Sequence, residues 1–264
     1  MRYKRFAALG LALCLALLFT ACNLKPAAPW PSLRPGGPVV RGSGHVADAK
    51  TPLPADERGF ALRVTGFSFR GSGGAGVELV IDETLAREVV VTADDNINER
   101  ISVRCDVELR EIVVELARRT ILAPTKLVIT VGAPVRALVI DGAWRFTYNC
   151  PGVKGCEVDV NGAANGKLTF GALDSLRVDV NGASDIKLAG AAKRADLTVN
   201  GAANIKAFDL AAVIADVTIN GAGGCEITAV EVLDAQINGV GKVVYGGKPV
   251  VHKRIHGLGE VRAK

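Results

Sequence analysis

An all-β chain, with an N-terminal β-sheet region leading into a C-terminal β-solenoid of about six to seven coils, is predicted by three observations. A unit close to 20 residues long repeats, the same dipeptide recurs in each unit, and apolar residues keep fixed offsets from it. The dipeptide is Asn-Gly, at Asn161-Gly162, Asn181-Gly182, Asn200-Gly201, Asn220-Gly221 and Asn238-Gly239, with Asp141-Gly142 and His256-Gly257 at the two ends. From Asp141 onward the spacings are 20, 20, 19, 20, 18 and 18 residues. So regular a period marks stacked supersecondary units.

Each column of the repeat has a physical role. Asn and Gly tolerate the positive φ of a tight corner, which β-branched residues do not. The residue before each corner is Val or Ile, and the fifth residue after the Asn reads Gly166, Ile186, Ile205, Cys225, Val243 and Val261. These columns are expected to point inward. Ala163, Ala183, Ala202 and Ala222 are expected to keep the corner thin. Lys167, Lys187 and Lys206 fall in register outside, as do Asp196, Asp216 and Asp234, so counter-charges are expected between like charges stacked about 4.8 Å apart. Asn-Gly is also a strong hairpin signal, and an antiparallel meander is the rival geometry. Recurrence of the same residue types in every column favours parallel stacking. The last coil carries His252, Lys253 and Arg254, charges that discourage edge-to-edge growth.

Upstream, residues 137–264 give way to a second β region over 41–136. Its runs are Ala61 to Thr65, Val77 to Ile81, Glu88 to Thr92, Glu111 to Leu116 and Lys126 to Val131, rich in Val, Ile and Thr between Gly, Pro or Asp. Asp94 to Arg100 is expected to form one helical turn. Residues 22–40 read as a Pro-rich tether, since seven of the eleven prolines fall between positions 24 and 54.

Residues 1–21 read as a lipoprotein signal peptide. Arg2, Lys4 and Arg5 precede an apolar run over residues 6–19, too short to span a bilayer as a helix. Thr20-Ala21-Cys22 resembles the bacterial lipobox, with Phe19 where Leu is more usual, which makes Cys22 the lipid attachment site and the membrane a partner. Asn23 after it resembles the outer-membrane sorting pattern. The formal net charge of +5 falls to +2 without the three signal-peptide cations, and aromatic residues make up 5% of the chain. Neither fits nucleic-acid binding, which needs a basic face with stacking aromatics.

Four cysteines remain beyond the signal and Cys22. Cys150 and Cys156 bracket a Pro-Gly-Val-Lys-Gly turn and form the candidate disulfide for an oxidising compartment, although four cysteines permit three connectivities.

Ile219-Asn-Gly-Ala-Gly-Gly and Ile237-Asn-Gly-Val-Gly-Lys resemble the repeats of the head GIN domain, putative auto-transporter adhesin family. Arg41-Gly-Ser-Gly-His-Val, Phe60 to Phe69 and Ala93-Asp-Asp-Asn-Ile-Asn-Glu extend the resemblance upstream. It covers roughly residues 41–264, with departures at Asp141, His256 and the cysteine loop. The resemblance implies a secreted or lipid-anchored β-solenoid, without an assigned activity.

Other chemistry is weak in this sequence. Gly71 to Gly76 satisfies G-x-G-x-x-G, but the run after it reads as strand where a dinucleotide site needs a helix. Asp94, Asp95, Asn96, Asn98 and Glu99 lack the spacing of an EF-hand. His252, His256 and Glu260 do not share one face of a strand-turn-strand path. The enzyme alternative is a carbohydrate-active β-helix using Asp159 and Asp179, which would stack in adjacent coils, yet that column continues as Thr198, Thr218 and Gln236 without aromatic neighbours. The preferred reading is a non-catalytic envelope module without catalytic, metal or cofactor residues. It meets an envelope or surface partner, protein or glycan, through structural or adhesive contacts.

Overall fold

The computed structural model describes residues 39–56, 58–67, 77–117 and 121–264. In chain order the elements are β1 (Val39–Arg41), β2 (Val46–Pro52), β3 (Phe60–Thr65), β4 (Val77–Asp82), β5 (Glu88–Asp94), α1 (Asp95–Asn98), β6 (Ile101–Asp106), β7 (Glu111–Leu116), β8 (Ile121–Ala123), β9 (Leu127–Val131), β10 (Val135–Cys150), β11 (Gly155–Gly182), β12 (Asp185–Gly201), β13 (Asn204–Gly246) and β14 (Val250–Ala263). The expected strands and helical turn are present. Strands β1, β2, β6 and β8 were not read from the sequence.

The C-terminal half is the predicted solenoid. Neighbouring rungs from β10 to β14 pair in parallel, and the corners fall into register: Asp141 with Asn161, Asn181 with Asn200, Asn200 with Asn220, and Asn238 with His256. The meander is thereby excluded, since its neighbours would run antiparallel. Alternation of apolar and polar residues makes each rung two-faced. Before the corner, Leu138, Ile140, Val158, Val160, Val178, Val180, Leu197, Val199, Val217 and Ile219 are buried. After it, Phe146, Tyr148, Leu168, Ile186, Leu188, Ile205 and Ile227 form the facing wall. Each such side chain contributes about 1.5–3 kcal/mol by leaving water. Gly166 interrupts the inward column because the Phe146 ring already fills that space: a Cβ there would lie 2.3 Å from Phe146 Cζ.

The stack does not begin at residue 137. Strands β3 and β4 pair in parallel with the two halves of β10, bringing Leu62 beside Leu138 and Leu79 beside Phe146. Next outward, β7 lies parallel on β3 and β9 parallel on β4. Beyond them, β6 crosses β7 and β5 crosses β9 antiparallel, and β2 adds antiparallel to β5. The N-terminal region and the solenoid therefore share one 12-stranded sheet and one core. Space order departs from chain order, since residues 111–131 return to lie between residues 60–82 and residues 88–106. The last two residues of the stretch read as tether lie in a strand. Val39 and Val40, a β-branched pair, are half-buried in a strand paired with Ile121 and Leu122.

Candidate functional site: the outward ladders

Each corner divides its work between two residues. The glycines hold the positive φ, from +111° at Gly142 to +152° at Gly182. The asparagines do not adopt it, since Arg110 is the one non-glycine residue with positive φ among the described residues. Instead they form a side-chain ladder. Asn161 Nδ2 donates to Asp141 Oδ1 at 3.0 Å, Asn181 to Asn161 Oδ1 at 2.9 Å, and Asn200, Asn220 and Asn238 each to the preceding Oδ1 at 2.8 Å. A carboxylate suits the first position, because it accepts and has nothing earlier to donate to.

Glycine is required at the corner for a second reason. A Cβ on Gly182 or Gly201 would meet the backbone oxygen of the preceding corner glycine at 2.0 or 2.4 Å. The corner alanines play no such part: Ala163, Ala183, Ala202 and Ala222 face solvent. The small residues that permit close stacking are one position later, where Ala164, Ser184 and Ala203 are buried and a Cβ on Gly223 would lie 2.3 Å from the Ala203 oxygen.

Outside, Lys167, Lys187 and Lys206 occupy one column, with Lys206 Nζ 3.8 Å from Asp185. On the other flank Asp196 pairs in register with Asp216, and Asp234 with His252. Arg194 supplies a counter-charge, reaching both Asp196 and Asp216, and His252 Nδ1 lies within hydrogen-bond distance of Asp234 at 3.0 Å. Burial, with Asp196 alongside, pushes the Asp216 carboxyl above its ordinary range despite Arg194. These arginines were not singled out from the sequence. The signal was Arg-x-Asp at 177/179 and 194/196, a spacing that puts both side chains on one face of a strand.

Asp159 and Asp179 do not stand apart as an acid/base pair. Arg177 Nε donates to Asp179 at 2.8 Å and lies 3.7 Å from Glu157. Asp159 is raised above the usual carboxylate range by burial and by the charges of Asp179 and Glu157. His252, His256 and Glu260 also fail to converge: they sit in register with Asp234, Asn238 and Lys242 respectively. Among the described residues no three His, Cys, Asp or Glu side chains are grouped to hold a metal ion, and no helix is long and apolar enough to cross a membrane.

With this geometry in view, the family described as "Putative auto-transporter adhesin, head GIN domain" matches residues 72–249. The chain belongs to that family. Solved structures share the fold. A putative adhesin from Bacteroides fragilis NCTC 9343 is 20% identical with a TM-score of 0.66, covering 85% of this chain and 100% of its own. A putative adhesin from Parabacteroides merdae ATCC 43184 is 19% identical with a TM-score of 0.60, covering 86% and 99%. A putative lipid binding protein from Parabacteroides distasonis ATCC 8503 is 20% identical with a TM-score of 0.57, again covering 86% and 99%. The curated proteins searched gave no match.

In this head GIN chain the Asp94–Glu99 stretch fastens the incoming N-terminal arm. Buried Asp94 accepts the backbone N–H groups of Gly44 at 2.9 Å and Thr125 at 2.8 Å. Burial opposes the charge, but those donors outweigh it and hold the carboxyl below its ordinary value. Asn96 Nδ2 donates to Arg41 O, Asn98 Nδ2 donates to Ala47 O, and the Ser43 hydroxyl donates to Asp95 Oδ1. The Asp94, Asp95 and Asn96 oxygens that resembled cation ligands are thus spent on loop backbone and side-chain donors, whereas Asn98 Oδ1 is buried without a hydrogen-bond partner.

The proposed Cys150–Cys156 disulfide is not formed; both cysteines are free and buried. Cys150 Sγ faces Ala133 O at 3.8 Å, whereas Cys156 Sγ faces the Tyr148 hydroxyl at 3.3 Å. Each thiol thus points to a different partner, and Tyr148 in turn donates to Val135 O. Burial pushes Cys150 to about 11 and Cys156 to about 12, so both remain thiols at neutral pH. Buried Cys225 is likewise raised to about 12. Residues 1–21, Cys22 and Gly71 to Gly76 lie outside the described residues. A strand, β4, follows the glycine run, where a dinucleotide site needs a helix.

Proposed function

We propose that this protein is a cell-envelope lipoprotein, anchored in the outer membrane through acylated Cys22, that presents a non-catalytic β-solenoid for adhesive or structural contacts. The observation that carries the reading is the outer surface of the stack. Lys167, Lys187 and Lys206, the asparagine ladder, and the Asp196 and Asp216 column with Arg194 repeat their chemistry rung after rung. A repetitive, rigid surface suits contact with repetitive partners, where many weak contacts reinforce one another. The inside offers no competing site, because Phe146, Tyr148, Leu168 and Ile186 fill it to 1% exposure or less. Membership of a family described as putative adhesins agrees with this, and the engagement of Asp179 by Arg177 speaks against the carbohydrate-active alternative.

The test is protease shaving of intact cells, with mass spectrometry of the released peptides, alongside metabolic labelling with palmitate. Release of solenoid peptides and label lost on Cys22→Ala are expected. Protection of the solenoid until the outer membrane is broken would move the contacts to the periplasm, and an unlabelled wild type would remove the anchor.

A further inference from the structure

The lysine ladder runs down to a cavity of about 470 Å³ whose walls include Lys206, Phe208, Gly224, Lys242, Arg262 and Lys264. This volume lies within the roughly 300–1,000 Å³ usual for small-ligand sites. Two local irregularities open it. Lys187 pairs with Lys206, but the next register pair is Ala189 with Asp209, so Ala207 and Phe208 together oppose Leu188. Ala207 takes the buried place, and the extra residue, Phe208, is half-buried at the surface. Bulges commonly re-aim a side chain in this way beside binding sites. On the next rung Gly224 has no side chain, and the nearest atom to a Cβ there would be Asn204 Oδ1 at 3.0 Å.

The cations around the aromatic ring are only loosely engaged. Lys206 lies 3.8 Å from Asp185, while Lys242 and Arg262 lie 4.0 and 3.6 Å from Glu260, all longer than a direct hydrogen bond. Lys264 Nζ rests 4.3 Å from the Phe208 ring centroid. An anion entering here gains charge-assisted hydrogen bonds from Lys242 and Arg262, and Lys264 can leave the ring to join them. Phe208 then offers an apolar face of about one pyranose ring in width. Asn204 and Glu226 supply polar groups for hydroxyls.

We propose that this cavity binds an anionic sugar unit, a uronic acid of an acidic polysaccharide, with the carboxylate between Lys242 and Arg262 and the pyranose C–H face on Phe208. The assignment names a partner chemistry for the contact function proposed above and rests on it. It is tested separately by calorimetric titration of the purified full chain with a galacturonic acid trimer and with a neutral galactose trimer. The acidic trimer is expected to bind and the neutral one to bind at least about tenfold more weakly. Lys242→Gln with Arg262→Gln, and Phe208→Ala, should each weaken binding about tenfold or more. Gly224→Leu, which fills the floor, should abolish it. Lys50→Gln with Lys193→Gln, two exposed cations outside both the cavity and the lysine ladder, should leave it unchanged. Absence of binding, equal binding of the neutral trimer, or an equal loss in the Lys50/Lys193 variant would overturn the site. None of these outcomes depends on where shaving locates the solenoid.

Discussion

The two ends of the stack solve the same problem differently. At the N-terminal end β5 and β6 cross the outermost parallel rung antiparallel, β2 lies against β5, and Ile97 of α1 is fully buried. The core there is covered by chain. At the C-terminal end β14 pairs on one side only among the described residues; Ile255 is 38% exposed and Leu258 79%. Its protection is electrostatic. Lys253 pairs with Ala235, so an inward apolar column ends in a charge, a device that makes an open edge a poor template for another strand. Covering an end adds buried area and rigidity, whereas charging it adds neither.

The largest contrast should appear at the corner glycines. A Cβ on Gly201 would lie 2.4 Å from Gly182 O, and one on Gly257 2.2 Å from Gly239 O, at φ of +150° and +141°. The local clash is alike, but Gly201 is held by rungs on both sides and Gly257 by one. Gly201→Ala should therefore cost about 3–4 kcal/mol. Gly257→Ala should cost about 1 kcal/mol, because the last rung can shift into solvent. Urea denaturation measures both, and equal losses would show that the open end is as constrained as the middle.

The covered end should depend on Asp94. Asp94→Asn replaces a buried charged acceptor of two backbone donors, and a loss of about 3 kcal/mol is expected. The pH dependence has a definite sign. Because the folded carboxyl lies below its ordinary 3.8, its contribution is complete above that value and disappears as pH falls through the lowered one. Asp216 has the opposite sign: raised above 3.8, it costs stability as pH rises through its raised value. Tm measured against pH should show wild type and Asp94→Asn well separated at neutrality and converging below about pH 4. A constant gap would mean that Asp94 acts through shape rather than charge.

How far the sequence revealed this arrangement depends on whether neighbours in space are also one period apart in the chain. For Asn161 to Asn238 they are, so corner, inward columns and parallel stacking could all be read from a 20-residue period. For residues 60–131 they are not. Rungs β7 and β9 meet β3 and β4 only after an excursion through β5, α1 and β6, and no periodicity records that return. The short β1 and β8, three residues each, carry too little pattern to announce themselves. Chemistry was legible where it repeats, as in the lysine column, and hidden where it depends on an exception. Phe208 carries no signal in the sequence, and only the register shows one residue too many there. The cysteine loop misled because sequence proximity says nothing about where two thiols point.

The smallest effect on stability should accompany the sharpest effect on association. Lys253 is exposed and makes no ion pair among the described residues, so Lys253→Val should change the unfolding free energy by no more than about 0.5 kcal/mol. It would, however, extend the apolar column of Ala235 to the open edge and remove the desolvation cost that a docking strand meets there. Sedimentation velocity over a concentration series should show Lys253→Val associating where the wild type does not, and a second substitution restoring charge at the rim, Leu258→Lys, should reverse it. If Lys253→Val remains as monodisperse as wild type, the open end must be protected by its geometry rather than its charge, and the contrast between the two ends narrows accordingly.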